Sequence, residues 1–167
     1  DHAHGEGGQV NRALTVLLAA LSLAACGEGG GKPAASPAAT VTAPARTADA
    51  GQLTRGAEVY RAHCAACHGS HAQGAVRWQQ PGPDGKYPAP PLDGSAHAWH
   101  HPLASLKDTI RNGTARLGGN MPPWRDKLTE ADIEAVIAYF QSLWPEEIYQ
   151  AWADIDRRAR VGAAKQR

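Results

Sequence analysis

The sequence predicts an all-α domain. Apolar residues downstream of Leu53 recur at helical spacing, and β-branched residues rarely run together. There are one Phe and five Trp, and with so few β-branched runs the balance favours helices. With 167 residues, the chain is long enough for one domain plus attachments. Charged residues make up 20% and the net charge is +1, so there is no basic stripe of the kind a nucleic-acid binder needs.

Residues 1–9 are polar and Gly-rich and read as an extension ahead of the true start, with Val10 as a candidate first residue. Arg12 then precedes an uncharged, mostly apolar run, Ala13 to Ala25, too short to span a bilayer. Leu23-Ala24-Ala25-Cys26 resembles the lipobox of bacterial lipoproteins. That resemblance implies cleavage before Cys26, a diacylglycerol on its thiol and anchoring to the periplasmic side of a bacterial membrane. Residues 27–50 are Gly, Ala, Pro, Ser and Thr without apolar periodicity, and read as a flexible linker. The expected boundaries are therefore 1–26 extension and signal, 27–50 linker, 51–145 folded domain, and 146–167 C-terminal helix and tail.

Within the domain, Leu53, Ala57, Tyr60 and Cys64 predict a helix from about Thr54 into Cys64-Ala65-Ala66-Cys67-His68. Prolines 81, 83, 88, 90 and 91 forbid a long helix over 69–101. Pro102 opens the next helix, with Leu103, Leu106 and Ile110 as its buried stripe and Asn112-Gly113 as its end. Gly118-Gly119-Asn120-Met121-Pro122-Pro123-Trp124 cannot be regular. Thr129, with Asp132 three residues on, opens a helix over 130–144 whose apolar face is Ile133, Val136, Ile137, Phe140, Leu143 and Trp144. Pro145 stops it and starts another, carrying Ile148, Trp152 and Ile155.

Two cysteines three apart share one face of a helical turn, so both thiols can reach the vinyl groups on one edge of a porphyrin. His68 follows directly. C-x-x-C-H is the signature of covalent haem c attachment. The pair uses two of three cysteines, and lipidation accounts for Cys26. Haem iron in an electron carrier takes two axial ligands. His68 supplies one, and Met121, the sole methionine, is the candidate for the other. The cluster His97-x-x-His100-His101, with His63 and His71 nearer the motif, is compatible with a Cu or Zn site. No carboxylate or cysteine stands beside it, so the reading as surface residues is preferred.

In these features the domain resembles class I cytochromes c. Gly56-x-x-x-Tyr60-x-x-x-Cys64-Ala65-Ala66-Cys67-His68-Gly69 matches the first helix and haem site. Pro90-Pro91-Leu92-x-Gly94 resembles the proline segment beside the proximal histidine. Gly119 to Trp124 matches the distal loop, and Thr129 to Phe140 the closing helix. The resemblance implies crossing first and last helices, with Gly56 at the contact and Tyr60 against the Tyr139 face. It implies a Pro90 or Pro91 carbonyl on His68 Nδ1, and a Trp124 indole on a haem propionate. Arg111, Arg116 and Arg125 are candidates to offset propionate charge. The function implied is single-electron transfer between redox proteins, a dehydrogenase or an oxidase. The alternative is a haem enzyme, a peroxidase or small-molecule reductase, with a labile sixth ligand. A zinc domain is a third reading, but one Cys pair with scattered histidines does not make a closed four-ligand set.

Overall fold

The computed structural model describes residues 46–166; the export segment, Cys26 and most of the linker lie outside the described residues. Five helices form the domain: α1 Ala50–His63, α2 Ala65–His68, α3 Leu103–Asn112, α4 Glu130–Ser142 and α5 Glu146–Lys165, with 3₁₀ turns at Ala98–His100 and Ala115–Leu117. No strand occurs among the described residues.

α1 starts where Asp49 accepts the Gln52 amide at 2.7 Å, satisfying one of the orphan donors of the first turn. α4 starts with a full capping box: the Thr129 hydroxyl takes the Asp132 amide at 3.1 Å and Asp132 takes the Thr129 amide at 3.1 Å. The Thr129 hydroxyl, which also donates to the Asp132 carboxylate at 2.8 Å, then the Thr129 amide and the Arg55 guanidinium hold that carboxyl below its ordinary value. α1 and α4 cross, and the crossing is the main helix contact of the domain. A Cβ at Gly56 would lie 2.7 Å from Tyr139 Cβ and closer still to the Ala135 carbonyl oxygen. Arg55 pairs with Asp132 at 2.8 Å on one side of that contact. The Tyr60 and Tyr139 rings meet on the other, 5.3 Å apart. Tyr60, Ile133, Val136 and Ile137 are fully buried there, each contributing about 1.5–3 kcal/mol.

α5 is integral to the domain. Its inward face is Tyr149, Trp152, Ala153 and Asp156, set slightly around from the expected Ile148, Trp152 and Ile155, whose two isoleucines are only half-buried. The shift has an electrostatic cause. Pro102 has no side chain to cap α3, and buried Asp156 accepts the Leu103 amide at 2.8 Å instead. Arg160 pairs with the other Asp156 oxygen at 3.1 Å. Trp152 donates its indole N–H to the His101 carbonyl at 3.0 Å. Leu143, expected on the buried face of α4, is exposed, because α4 has ended at Ser142.

The linker was expected to reach residue 50, yet the chain is already docked at Arg46. The guanidinium donates to the carbonyls of Gln141 and Trp144, the latter at 2.6 Å, so it caps the end of α4. It also lies over the Tyr149 ring, 4.6 Å from its centroid, and pairs with Glu146 at 3.3 Å.

Candidate functional site

The C-x-x-C-H segment is a short helix distinct from α1. Cys64, at φ −114°, ends α1 and caps α2. Its carbonyl accepts both the Cys67 amide at 3.1 Å and the His68 amide at 2.9 Å. One turn therefore gathers both thiols and the imidazole. Cys64 is half-buried and Cys67 exposed. Burial, with Cys67 adding to it, pushes the Cys64 thiol up to about 11. The Tyr60 hydroxyl donates to the Gly69 carbonyl at 2.9 Å and fixes the end of the segment onto α1. Burial raises the Tyr60 phenol well above its ordinary value, so it stays protonated and donating.

His68 is buried. Its Nδ1 lies 2.8 Å from the Pro90 carbonyl oxygen. Burial lowers the imidazole below its ordinary value, and the Pro90 carbonyl partly opposes this. A neutral ring with the proton on Nδ1 leaves the Nε2 lone pair for a metal. The Pro90-Pro91 segment is itself held on two sides. Leu92 donates its amide to Ala72 at 2.7 Å, while its carbonyl accepts the Trp144 indole at 2.8 Å. A Cβ at Gly74 would meet the Pro90 carbonyl carbon at 2.7 Å, and the Gly74 amide bonds the His68 carbonyl at 2.7 Å. Sequence reasoning missed Ala72 and Gly74, and it placed Trp144 in the core without its bond to Leu92. The first is buried in a left-handed conformation, φ 60°, where a small side chain fits.

The segment carrying Met121 runs back along the end of α3. Trp124 donates its amide to the Ile110 carbonyl at 3.1 Å, and Arg125 to the Arg111 carbonyl at 3.2 Å. Met121 is half-buried. The Trp124 ring sits 5.1 Å from the His63 ring, with Lys127 Nζ 5.4 Å from its centroid. The three arginines have partners within the protein. Arg111 pairs with Glu130 at 2.5 Å, Arg116 with Asp108, and Arg125 donates to Asn112 at 2.7 Å. Arg111 and Arg116 are thus already neutralised, which weakens their case as propionate partners.

His97, His100 and His101 do not converge. His97 stacks on Trp78 at 6.2 Å and meets His101 edge-on at 5.7 Å, while His100 packs on Trp99 at 3.7 Å. Burial and the neighbouring His97 and His100 hold His101 below the ordinary imidazole value. Among the described residues no group of three or more His, Cys, Asp or Glu side chains is arranged to hold a metal ion.

The sequence pattern of the family described as cytochrome C oxidase, cbb3-type, subunit III, matches residues 51–140, over half of the chain. The chain belongs to this family. Within it, the subunit CcoP of the cbb3-type cytochrome c oxidase of Azospirillum sp. (strain B510) is 40% identical over 98 residues, covering 59% of this chain and 31% of that protein. The CcoP of Rhodobacter capsulatus is 33% identical over 103 residues, with 58% and 31% covered. Outside the oxidases, cytochrome c6 of Bryopsis maxima is 32% identical over 91 residues, with 53% of this chain and 89% of that protein covered. The chain thus spans about a third of the CcoP proteins it matches. No solved structure matches. The match sets this domain among the cytochromes c, with haem c bound covalently, one for its single C-x-x-C-H, and with electron transfer as its role. The described residues fit such a group: two thiols share one turn with a buried imidazole whose Nδ1 is already engaged. None of the described helices is long and apolar enough to cross a membrane.

Proposed function

We propose that this chain carries single electrons to or from a membrane-bound oxidase on the periplasmic side of a bacterial membrane, with His68 and Met121 as the axial ligands of its haem. The observation that carries the reading is the Pro90 carbonyl on His68 Nδ1, 2.8 Å away, in a chain whose sole methionine lies in the loop that returns along α3. Bound haem supplies an iron that takes up and releases one electron. The chain's residues set how readily. The Pro90 carbonyl orients the His68 ring and makes Nε2 a better donor. A thioether favours ferrous iron, so Met121 raises the potential. With His68 and Met121 both holding the iron, no position would be left for a substrate, which favours a carrier over a catalyst. Pro91 lies buried behind Pro90, and Trp124, beside the Met121 loop, is assigned to a haem propionate.

Met121→Ala tests the ligation. The wild-type ferric protein is expected to be low-spin with a near-infrared sulfur-to-iron band. The variant should lose the band, fall in potential by a sizeable part of the roughly 0.8 V that axial ligands command, and bind added imidazole. An unchanged spectrum would end the assignment. A high-spin wild-type protein that binds peroxide would support the haem-enzyme alternative.

The partner is proposed to be a cbb3-type oxidase, because the CcoP relatives are named as its subunits. Rapid oxidation of the reduced protein by purified cbb3-type oxidase is the expected outcome, and no oxidation would count against it. Anchoring is assigned to a diacylglycerol on Cys26. Radiolabelled palmitate should enter the wild-type chain but not Cys26→Ser; equal labelling of both would sink the anchor.

A further inference from the structure

α3 ends at Gly113, at φ 67°, and the next residue is Thr114. The Thr114 hydroxyl oxygen accepts the Met121 amide at 3.0 Å. The Thr114 amide donates to the Met121 carbonyl at 2.9 Å. One residue thus satisfies both backbone polar groups of Met121. The Thr114 carbonyl also accepts the amides of Leu117 and Gly119, each at 2.9 Å. Thr114 therefore closes the loop 114–121 at four points.

The fit is tight on both sides. A Cβ at Gly113 would lie 2.5 Å from the Met121 carbonyl oxygen and 2.8 Å from the Pro123 nitrogen. A Cβ at Gly119 would collide with the Thr114 hydroxyl. Pro122 and Pro123 have no amide hydrogen, so neither can be tied down by its own N–H. Downstream of Met121 the first backbone tie is Trp124 to Ile110. Upstream, the tie at Met121 itself is Thr114.

We propose that Thr114 is a positioning residue for the distal ligand, holding Met121 through its hydroxyl and its backbone so that the thioether stays in place when the iron changes oxidation state. This rests on the reading of Met121 as an axial ligand. A neutral thioether competes with water and other small ligands for ferric iron. The share of molecules with Met121 detached sets the apparent affinity for such competitors. Loss of one hydrogen bond shifts such a balance about fivefold.

The test uses the haem-loaded protein with imidazole as probe. Thr114→Val keeps the shape and removes the acceptor. It should raise ferric affinity for imidazole about fivefold, weaken the sulfur-to-iron band and lower the potential. Thr114→Ser should restore all three. Gly119→Ala presses on the hydroxyl from the other side and should act in the same direction, which covers a Thr114→Val chain that fails to fold. A Thr114→Val protein with lowered thermal stability but wild-type imidazole affinity and potential would overturn the proposal and leave Met121 as ligand. A wild-type protein without the band, whose imidazole affinity is unmoved by Met121→Ala, would instead overturn the ligation reading beneath it.

Discussion

The double variant Cys64→Ala, Cys67→Ala is expected to carry no covalently bound haem. Covalent attachment needs a thiol for each thioether, and Cys26 lies in the segment read as the export signal, outside the domain. The two thiols of the domain stand on one turn, tied through the Cys64 carbonyl to the amides of Cys67 and His68. Alanine is tolerated in that turn, where Ala65 and Ala66 already sit, and is the best helix former. The double variant therefore loses the bonds and not the backbone. His68 and its Pro90 contact remain, so any haem that binds is expected to be dissociable. A haem stain after denaturing electrophoresis, or a mass lower by one haem, reads the result directly. Each single variant should keep one thioether and a weaker stain. Wild-type staining of the double variant would remove the C-x-x-C-H assignment altogether.

The sequence announces residues whose chemistry is special and hides contacts made by ordinary backbone. Cys64, Cys67, His68 and Met121 stand out because the motif is compact and the methionine is single. The Thr129 cap and the helix end at Gly113 follow from capping and glycine, the crossing of α1 and α4 is implied by the family resemblance, and the structure has all three. Arg46 was not legible. It lies in a stretch of linker composition, and its partners are the carbonyls of Gln141 and Trp144, which any residue would present. The indole bonds of Trp144 to Leu92 and Trp152 to His101 escape for the same reason. So does the face of α5: periodicity finds apolar residues, whereas Asp156 turns inward because α3 lacks a cap of its own. Of these hidden bonds, that of Trp144 braces the proline segment at Leu92, two residues after the carbonyl on His68. Trp152 and Asp156 instead tie the extra helix to His101 and Leu103, at the start of α3, through contacts that no local pattern encodes.

Gly56→Ala should destabilise the domain by roughly 3 kcal/mol or more, against the direction that helix propensity gives. In a helix interior alanine is favoured over glycine by about 1 kcal/mol. At Gly56 the added methyl would lie 2.7 Å from Tyr139 Cβ and nearer still to the Ala135 carbonyl oxygen. Both belong to α4, and the nearest obstacle is backbone, so no side-chain rotation relieves the clash. The helices must separate, and the parting costs more than the methyl returns. It also strains the ties beside it, Arg55 to Asp132 at 2.8 Å and the Tyr60 ring on Tyr139. A fall in Tm of roughly 10 °C or more is the expected reading for a domain of this size. Gly162→Ala in α5 is the paired control, since a Cβ there meets nothing within 4 Å. It should raise stability by roughly 0.5–1 kcal/mol. Opposite signs from the same substitution in two helices isolate the crossing as the cause. A Gly56→Ala protein as stable as wild type would mean that α1 and α4 do not approach this closely. Tyr60 reaches the Gly69 carbonyl from that same crossing, so wider spacing there would also undo the placement of Cys64 and His68.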